Sequence, residues 1–438
     1  MKKMLSIILA TLVLGSFAMG GWEFDGVLAD FPELTVSDSW GMHGVTVDNA
    51  GNIWYAMLGH PTAELYRGTA VGDTLDVYQI FAVTPAGVPL SFSPISTLTY
   101  GSVTDTLVSA CRGMATDNDG NILYSIAGKL YKINGTTGAG MAMYDFPDVT
   151  GSLTCPAVDD AGNVYIGTVG PGNPVKILNS SLVETGNAIA EFRGAYTRSI
   201  AVSGDGKELY FGSTWNGIGI RHFHSDLPGT FPHDSASTIG GWQINDTTFQ
   251  NLWPEAVSLG PDGNLYAANT QIGFTGDEAH GSRYWVYGTD GTEKYSFGAP
   301  LGDYTQGGIW NGRGCAWSPD GTIMYMADFG YNCVTIWNQV PDGVERPITL
   351  PTSFELKQNF PNPFNPSTTI AYELHQDGLV NLTVFDVKGR EVATLVNEQL
   401  TAGNHVASFD GSNLSSGLYI YQLSFNGQVS AKNMMLIK

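Results

Sequence analysis

One short pattern recurs six times between about residues 40 and 340: an apolar strand, a turn closed by glycine, and a second strand with an early tyrosine. The copies are Val45 to Tyr55, Met114 to Tyr124, Pro156 to Tyr165, Ile200 to Tyr210, Val257 to Tyr266 and Cys315 to Tyr325. Their turn glycines are Gly51, Gly120, Gly162, Gly206, Gly263 and Gly321. A motif returning at intervals of 42 to 69 residues marks a repeat architecture, and each interval has room for a four-stranded sheet with its loops. Asp-Gly or Ala-Gly followed by Asn suits the tight turn, because these residues accept positive φ.

Aligned on the glycine, the first strand of every copy has one small and one bulky face. Seven positions before it stand Gly44, Gly113, Cys155, Ser199, Ala256 and Gly314, and five before it Thr46, Ala115, Ala157, Ala201, Ser258 and Ala316. The alternate positions hold mostly larger residues, Val45, Met114, Pro156, Ile200, Val257 and Cys315, then Val47, Thr116, Val158, Val202, Leu259 and Trp317. Successive side chains of a strand point to opposite faces. Each sheet can therefore press its bulky face onto the small face of the next, which is the crowding expected of inner strands around a propeller axis.

The repeat resembles the NHL and SMP-30 type of propeller motif, in which an apolar strand precedes Asp-x-x-Gly-Asn and an aromatic strand. The expectation is an all-β chain with a six-bladed β-propeller over about residues 22–340. The 69-residue interval between Gly51 and Gly120 leaves room for a degenerate seventh blade, and Phe24 to Val36 is expected to close the ring as an outer strand.

The two ends read as export signals. Met1-Lys2-Lys3 is followed by an apolar run to Phe17 and by small residues at Ser16, Ala18 and Gly20, the pattern of a signal peptide over 1–20. The run is shorter than the roughly 20 residues needed to span a bilayer, and no later stretch is long and apolar enough, so no transmembrane segment is expected in the mature chain. Val340 to Pro351 is proline-rich and reads as a linker, taken as 341–353. Beyond it, Gln358-Asn359-Phe360-Pro361-Asn362-Pro363-Phe364-Asn365-Pro366, Gly389-Arg390-Glu391-Val392, Ser416 to Tyr421 and the close Ala431 to Lys438 resemble the C-terminal sorting domain of type IX secretion cargo. That resemblance implies a small Ig-like β-sandwich over 354–438, the type IX machinery as partner, and a protein secreted or held at the outer-membrane surface after export to the periplasm. Six short strand-like runs between Thr369 and Ile437 agree with a sandwich.

Forty-one acidic against 20 basic residues give a net charge of −21, which argues against nucleic acid or anionic lipid as partner. Charged residues are only 14% of the chain while Gly numbers 55, the profile of a turn-rich β protein. Four cysteines stand where oxidation is permitted. Cys111 with Cys155 and Cys315 with Cys333 are candidate bridges, and buried free thiols are the other reading.

The alignment singles out a further position, eight before the glycine, where each inner strand begins. It holds His43, Arg112, Thr154, Arg198, Glu255 and Arg313, with Trp40, Tyr196, Trp253 and Trp310 just upstream. In a propeller these six form a ring at the channel mouth. Converging guanidinium groups suit a carboxylate, sulfate or phosphate and aromatic faces suit sugar rings, so an acidic saccharide or other organic anion is the candidate ligand. The competing reading has the arginines pair with Glu255, backbone carbonyls or aspartates and merely close the channel. Catalysis by His43 and Glu255 as base and acid of a lyase or hydrolase is the alternative to a non-catalytic binding module.

Resemblance to SMP-30 lactonases implies several oxygen ligands for a divalent cation, and this ring supplies only Glu255 with His43 and Thr154 among arginines that repel a metal. The Ser-x-Asp-x-Gly-x-x-Trp boxes of sialidases are absent. His222 and His224, two apart on one strand face, with His233 or Asp234, form a weaker candidate for zinc. Asp117 to Asn121 lacks EF-hand spacing and reads as the repeat's hairpin. No P-loop, Gly-x-Ser-x-Gly elbow or clustered Cys-His site is present, so no cofactor and no metal is expected.

Overall fold

A computed structural model describes residues 21–30, 41–58, 63–66, 74–147, 151–192, 197–213, 219–232, 237–245, 248–269, 282–300, 304–340 and most of 355–437. The chain divides into two compact units, Met1–Val344 and Glu345–Lys438. Both are built from strands. The signal-peptide and linker segments expected at 1–20 and 341–353 lie outside the described residues.

The hairpin that heads each sheet accounts for the repeated motif. Asp48 Oδ1 accepts the backbone N–H groups of Ala50 and Asn52, both at 2.9 Å, and its Oδ2 accepts the indole N–H of Trp54 at 3.1 Å. Asp117 holds the N–H groups of Asp119 and Asn121 in the same way and forms a buried ion pair with Lys132 at 2.6 Å. Asp159 accepts the N–H of Asn163 and the Tyr165 hydroxyl. Ser203 and Ser318 replace the aspartate in the fourth and sixth copies, their Oγ atoms accepting the N–H groups of Glu208 and Ile323. The six turn glycines have φ between +70° and +84°, a region closed to most side chains. One polar side chain thus closes the turn and, in several copies, anchors the aromatic of the next strand.

The inner strands are Gly41–Val47, Gly113–Thr116, Ala157–Val158, Thr197–Val202, Pro254–Leu259 and Gly312–Trp317, heading what we number blades 1 to 6. Blades 2 to 6 are four-stranded antiparallel sheets, and blade 1 has three ladder strands extended by bridges from Ile80 to Ile95 and from Val83 to Pro89. Among the described residues, the long interval after Gly51 holds two hairpins, Ala63–Tyr66 with Thr74–Val77 and Thr97–Tyr100 with Val103–Thr106, rather than another inner strand. The outer strand of blade 6 is Gly21–Asp30, paired with Cys333–Val340. It begins three residues before the expected Phe24, and 31–36 lie outside the described residues.

Six apolar clusters lie one at each junction of neighbouring blades, the last joining blade 6 to blade 1 through Ala316, Tyr325 and Val334 against Met42, Val45 and Tyr55. The unit is therefore a closed β-propeller. The recurring tyrosines Tyr124, Tyr165, Tyr210, Tyr266 and Tyr325 are fully buried in these junctions. Trp22 of the closing strand joins the cluster between blades 5 and 6 and donates its indole N–H to the Tyr266 hydroxyl at 3.0 Å. At the first junction the small position leaves no room for a side chain: a Cβ on Gly44 would stand 2.6 Å from Cys111 Sγ and 2.7 Å from Met114 Cγ. All four cysteines are free thiols, so neither candidate bridge is formed.

The second unit is a β-sandwich. One sheet contains Glu355–Leu356, Ser367–Leu374 and Gly403–Asp410, the other Glu391–Leu400, Gly378–Asp386, Gly417–Phe425 and Gln428–Leu436. Its core includes Phe364, Ile370, Tyr372, Leu382, Tyr421 and Leu436.

Candidate functional site

Four of the six ring residues stand second or third in their inner strands, and each falls at a break in the ladder. Register shifts separate Met42 from Gly44, Thr197 from Ser199, Pro254 from Ala256, and Gly312 from Cys315. His43, Arg198, Glu255 and Arg313 are thus the residues passed over by pairing. A bulge of this kind bends the strand and re-aims the extra side chain, here toward the propeller axis. Arg112 precedes its strand and donates its backbone N–H to the Ser125 carbonyl at 2.8 Å.

His43, Arg198, Glu255 and Arg313 line one axial cavity with about 30 Å³ of space for the centre of a water molecule. A site needs about 10–15 Å³ of such space per water, so the chamber admits a couple of waters or one small polar group. Glu255 Oε2 faces two guanidinium groups, Arg313 Nη1 at 2.5 Å and Arg198 Nη1 at 3.3 Å. Arg313 is 3% exposed, and its guanidinium lies 4.6 Å from the centre of the Phe329 ring. The Arg198 side chain is more open, at 29%.

Burial lowers the Arg313 pKa to about 10, with Glu255 opposing and Arg198 adding to the shift. It remains a cation at neutral pH. Arg112 is lowered by burial and then by the charge of Arg198. His43, 6% exposed, is held well below its ordinary pKa by burial first and then by Arg313, Arg198 and Arg112. Its imidazole is therefore neutral, and the chamber sets the two cations Arg198 and Arg313 against one lining carboxylate, with Arg112 and Asp328 acting from outside it. Both His43 ring nitrogens, Arg112 Nε and Arg313 Nε are buried without a hydrogen-bond partner among the described residues.

The remaining predicted residues divide. The Thr154 hydroxyl turns into its own blade and accepts the Gly167 N–H at 3.1 Å. The Trp253 N–H is held by Asn269 Oδ1 at 2.9 Å, and in the neighbouring blade the Trp310 N–H is held by Asp328 Oδ2 at the same distance. A buried polar residue ending the second strand thus positions the aromatic before the inner strand in both. Trp310 is 36% exposed. Trp40 and Tyr196 lie outside the described residues.

His222 and His224 do share a face, but Glu208, the register partner of His224 in the hairpin, reaches both. Its Oε2 meets His222 Nε2 at 2.5 Å and its Oε1 meets His224 Nδ1 at 2.7 Å, while His222 Nδ1 reaches Ser237 Oγ. No group of three potential ligands among the described residues is arranged to hold a metal ion. His233 and Asp234 lie outside them. Sequence reasoning missed Phe329, Asp328 and Ser199, whose Oγ accepts the Val257 N–H of the next blade at 2.8 Å beside the chamber.

Comparison with known proteins separates the two units. No curated protein matches the chain. Among solved structures it is similar to the calcium-binding protein regucalcin from Agrobacterium tumefaciens, at 16% identity over 72% of this chain and 94% of that one, with a TM-score of 0.47. It is similar to PorZ, a surface component of the type IX secretion system of Porphyromonas gingivalis, at 13% identity over 93% of this chain and 59% of that one, TM-score 0.39. It is also similar to virginiamycin B lyase from Staphylococcus aureus, at 12% identity over 73% of this chain and all of that one, TM-score 0.41. The family described as "Secretion system C-terminal sorting domain" matches residues 358–438. The C-terminal sandwich is therefore a type IX secretion sorting domain, and the chain that carries it is exported to the cell surface or secreted.

Proposed function

We propose that the propeller is a non-catalytic binding module that captures an organic anion at the axial ring, and that the sorting domain delivers this module outside the cell. The observation that carries the reading is the charge imbalance of the chamber. Arg198 and Arg313 share its one lining carboxylate, Glu255, Arg112 adds to the positive potential at His43, and the Nε atoms of Arg112 and Arg313 are buried without an acceptor among the described residues. Two cations sharing one carboxylate leave positive charge in excess there, and a ligand bearing a carboxylate, sulfate or phosphate would supply a further counter-charge. The Glu255 oxygen facing the chamber is already engaged by two guanidinium groups, which leaves it poorly placed to serve as the acid of a lyase or hydrolase.

The test is calorimetric binding and product analysis with simple organic anions and acidic glycans, on the wild type and Arg198→Ala. The expected result is at least tenfold weaker binding by the variant, with every ligand recovered unchanged. Product formation would replace the module with an enzyme, and equal binding by Arg198→Ala would remove the ring from the account.

A further inference from the structure

Beside the ring, blade 6 presents a row of aromatic side chains built into a fixed frame. Asp328, 1% exposed at the end of its strand, accepts the N–H groups of Trp310 at 2.9 Å, Asn311 at 3.2 Å and Tyr331 at 2.9 Å. Phe329 donates its N–H to the Asn311 carbonyl at 2.8 Å. Two loops, one leading into the inner strand and one leaving the second strand, are thereby tied around one carboxylate. The Trp310 indole lies against the backbone of Gly330, where a Cβ would stand 2.4 Å from its Cγ. Tyr331 packs against Trp310 edge to face at 5.6 Å, and Tyr304 stacks on Tyr331 at 5.4 Å and 28°.

The row is continuous with the chamber through Phe329. Its ring lies under the Arg313 guanidinium and makes an edge contact with His43 at 6.4 Å between centroids. Its chain neighbours Gly330 and Tyr331 are the base and flank of Trp310. One five-residue loop, Asp328 to Asn332, therefore supports both the charged ring and the exposed indole.

We propose that Trp310, Tyr331 and Tyr304 form a sugar-stacking subsite, so that the anion taken by the ring is carried on a saccharide. The inference rests on the anion-binding reading and narrows it to acidic glycans. The chamber is too small for a sugar ring and fits only the charged group, directed at Arg198 and Arg313. A neighbouring pyranose then lies with its C–H face on the indole, the surface that an aromatic ring with one polar handle offers to a half-apolar ligand. The geometry of the frame keeps Trp310 placed before ligand arrives, which limits the ordering cost of binding.

The experiment compares a uronic-acid trisaccharide, the corresponding monosaccharide and acetate by calorimetry, using the wild type, Trp310→Ala, Trp310→Phe, Tyr304→Ala and Arg198→Ala, with near-UV circular dichroism to confirm native packing. The expected result is a trisaccharide affinity at least fivefold lower for Trp310→Ala and lower for Tyr304→Ala. Trp310→Phe should retain most of the affinity, and acetate binding should change less than twofold in all three. If the wild type binds acetate but no saccharide more tightly, or if the trisaccharide binds both alanine variants as tightly as the wild type while Arg198→Ala loses it, the stacking subsite is overturned and the anion site stands. If Arg198→Ala binds acetate and trisaccharide like the wild type, the anion site fails and this inference fails with it.

Discussion

Replacing Glu255 by glutamine should weaken the propeller and sharpen its response to anions at the same time. Glu255 holds Arg313, whose side chain is 4% exposed, and Arg198, at 29%. Glutamine keeps the volume and removes the charge, so a guanidinium that water cannot reach loses its counter-charge. Breaking one partner of a buried pair costs about 3–5 kcal/mol, a large fraction of the roughly 5–15 kcal/mol that holds a domain together. The change also removes the one carboxylate that lines the chamber and adds one unit to its excess positive charge. A unit charge about 4 Å away is worth about 4 kcal/mol at an effective dielectric of about 20. If only a quarter of that reaches an incoming anion, about 1 kcal/mol, affinity rises about fivefold. Urea unfolding at constant ionic strength, with and without an organic anion, measures both effects. All ten tryptophans precede residue 345, so indole emission follows the propeller alone. At a hundredfold excess over Kd an anion should return about 2.7 kcal/mol, and the gain should be greater for Glu255→Gln than for the wild type at equal anion concentration. A variant as stable as the wild type, with no larger anion response, would refute the claim that Glu255 offsets surplus positive charge in the chamber.

Two further predictions concern the same packing. His43 is neutral in the fold, whereas in the unfolded chain it titrates near the ordinary histidine value of about 6.5. Because the folded pKa is the lower one, stability is intact above about pH 6.5 and is lost as pH falls, by up to about 1.4 kcal/mol per pH unit, until the folded imidazole itself takes a proton. Unfolding between pH 7.5 and 5 should therefore show a steeper loss for the wild type than for His43→Gln, and parallel curves would exclude the buried neutral imidazole. Gly44→Ala should cost about 1–3 kcal/mol through overpacking, because its Cβ would stand within 2.7 Å of Cys111 and Met114. Gly314→Ala, the same repeat position, meets nothing nearer than 3.8 Å and should be close to neutral. Equal costs in urea unfolding would show that the two junctions pack alike.

The propeller was legible because its information is periodic. A glycine at positive φ and a buried tyrosine are local needs that every blade repeats, with a turn aspartate in the first three, so aligning six copies recovers the inner strand, its small face and the residue at its head. The closing strand was found only roughly, since Gly21–Asp30 pairs with a partner some 310 residues away and carries no motif of its own. The surroundings of the weaker candidate, His222 with His224, depend on the same kind of longer-range pairing. That His222 and His224 share a face follows from the period of a strand, but the presence of Glu208 within reach of both depends on hairpin register, which strand period alone does not reveal.

The ring was located by the alignment, yet its behaviour depends on features that the alignment averages away. Each copy of the head position looks alike in register, while the structure gives the members different work. Arg313 is buried against Phe329, Arg198 is partly open, Thr154 turns inward, and Glu255 serves two neighbours across blade boundaries. These differences arise at the strand ends and in the loops, where Asp328 ties Trp310, Asn311 and Tyr331 together while Asn269 in blade 5 holds Trp253. A chain carrying −21 overall therefore keeps three of its 20 basic residues together at one point. Its long-range field repels anions, so only a ligand able to reach the axis and fill the short-range contacts is retained. Discrimination by that means depends on shape beside the charge, and Trp310 with its neighbours supplies a shaped surface at the place where the positive charge is concentrated.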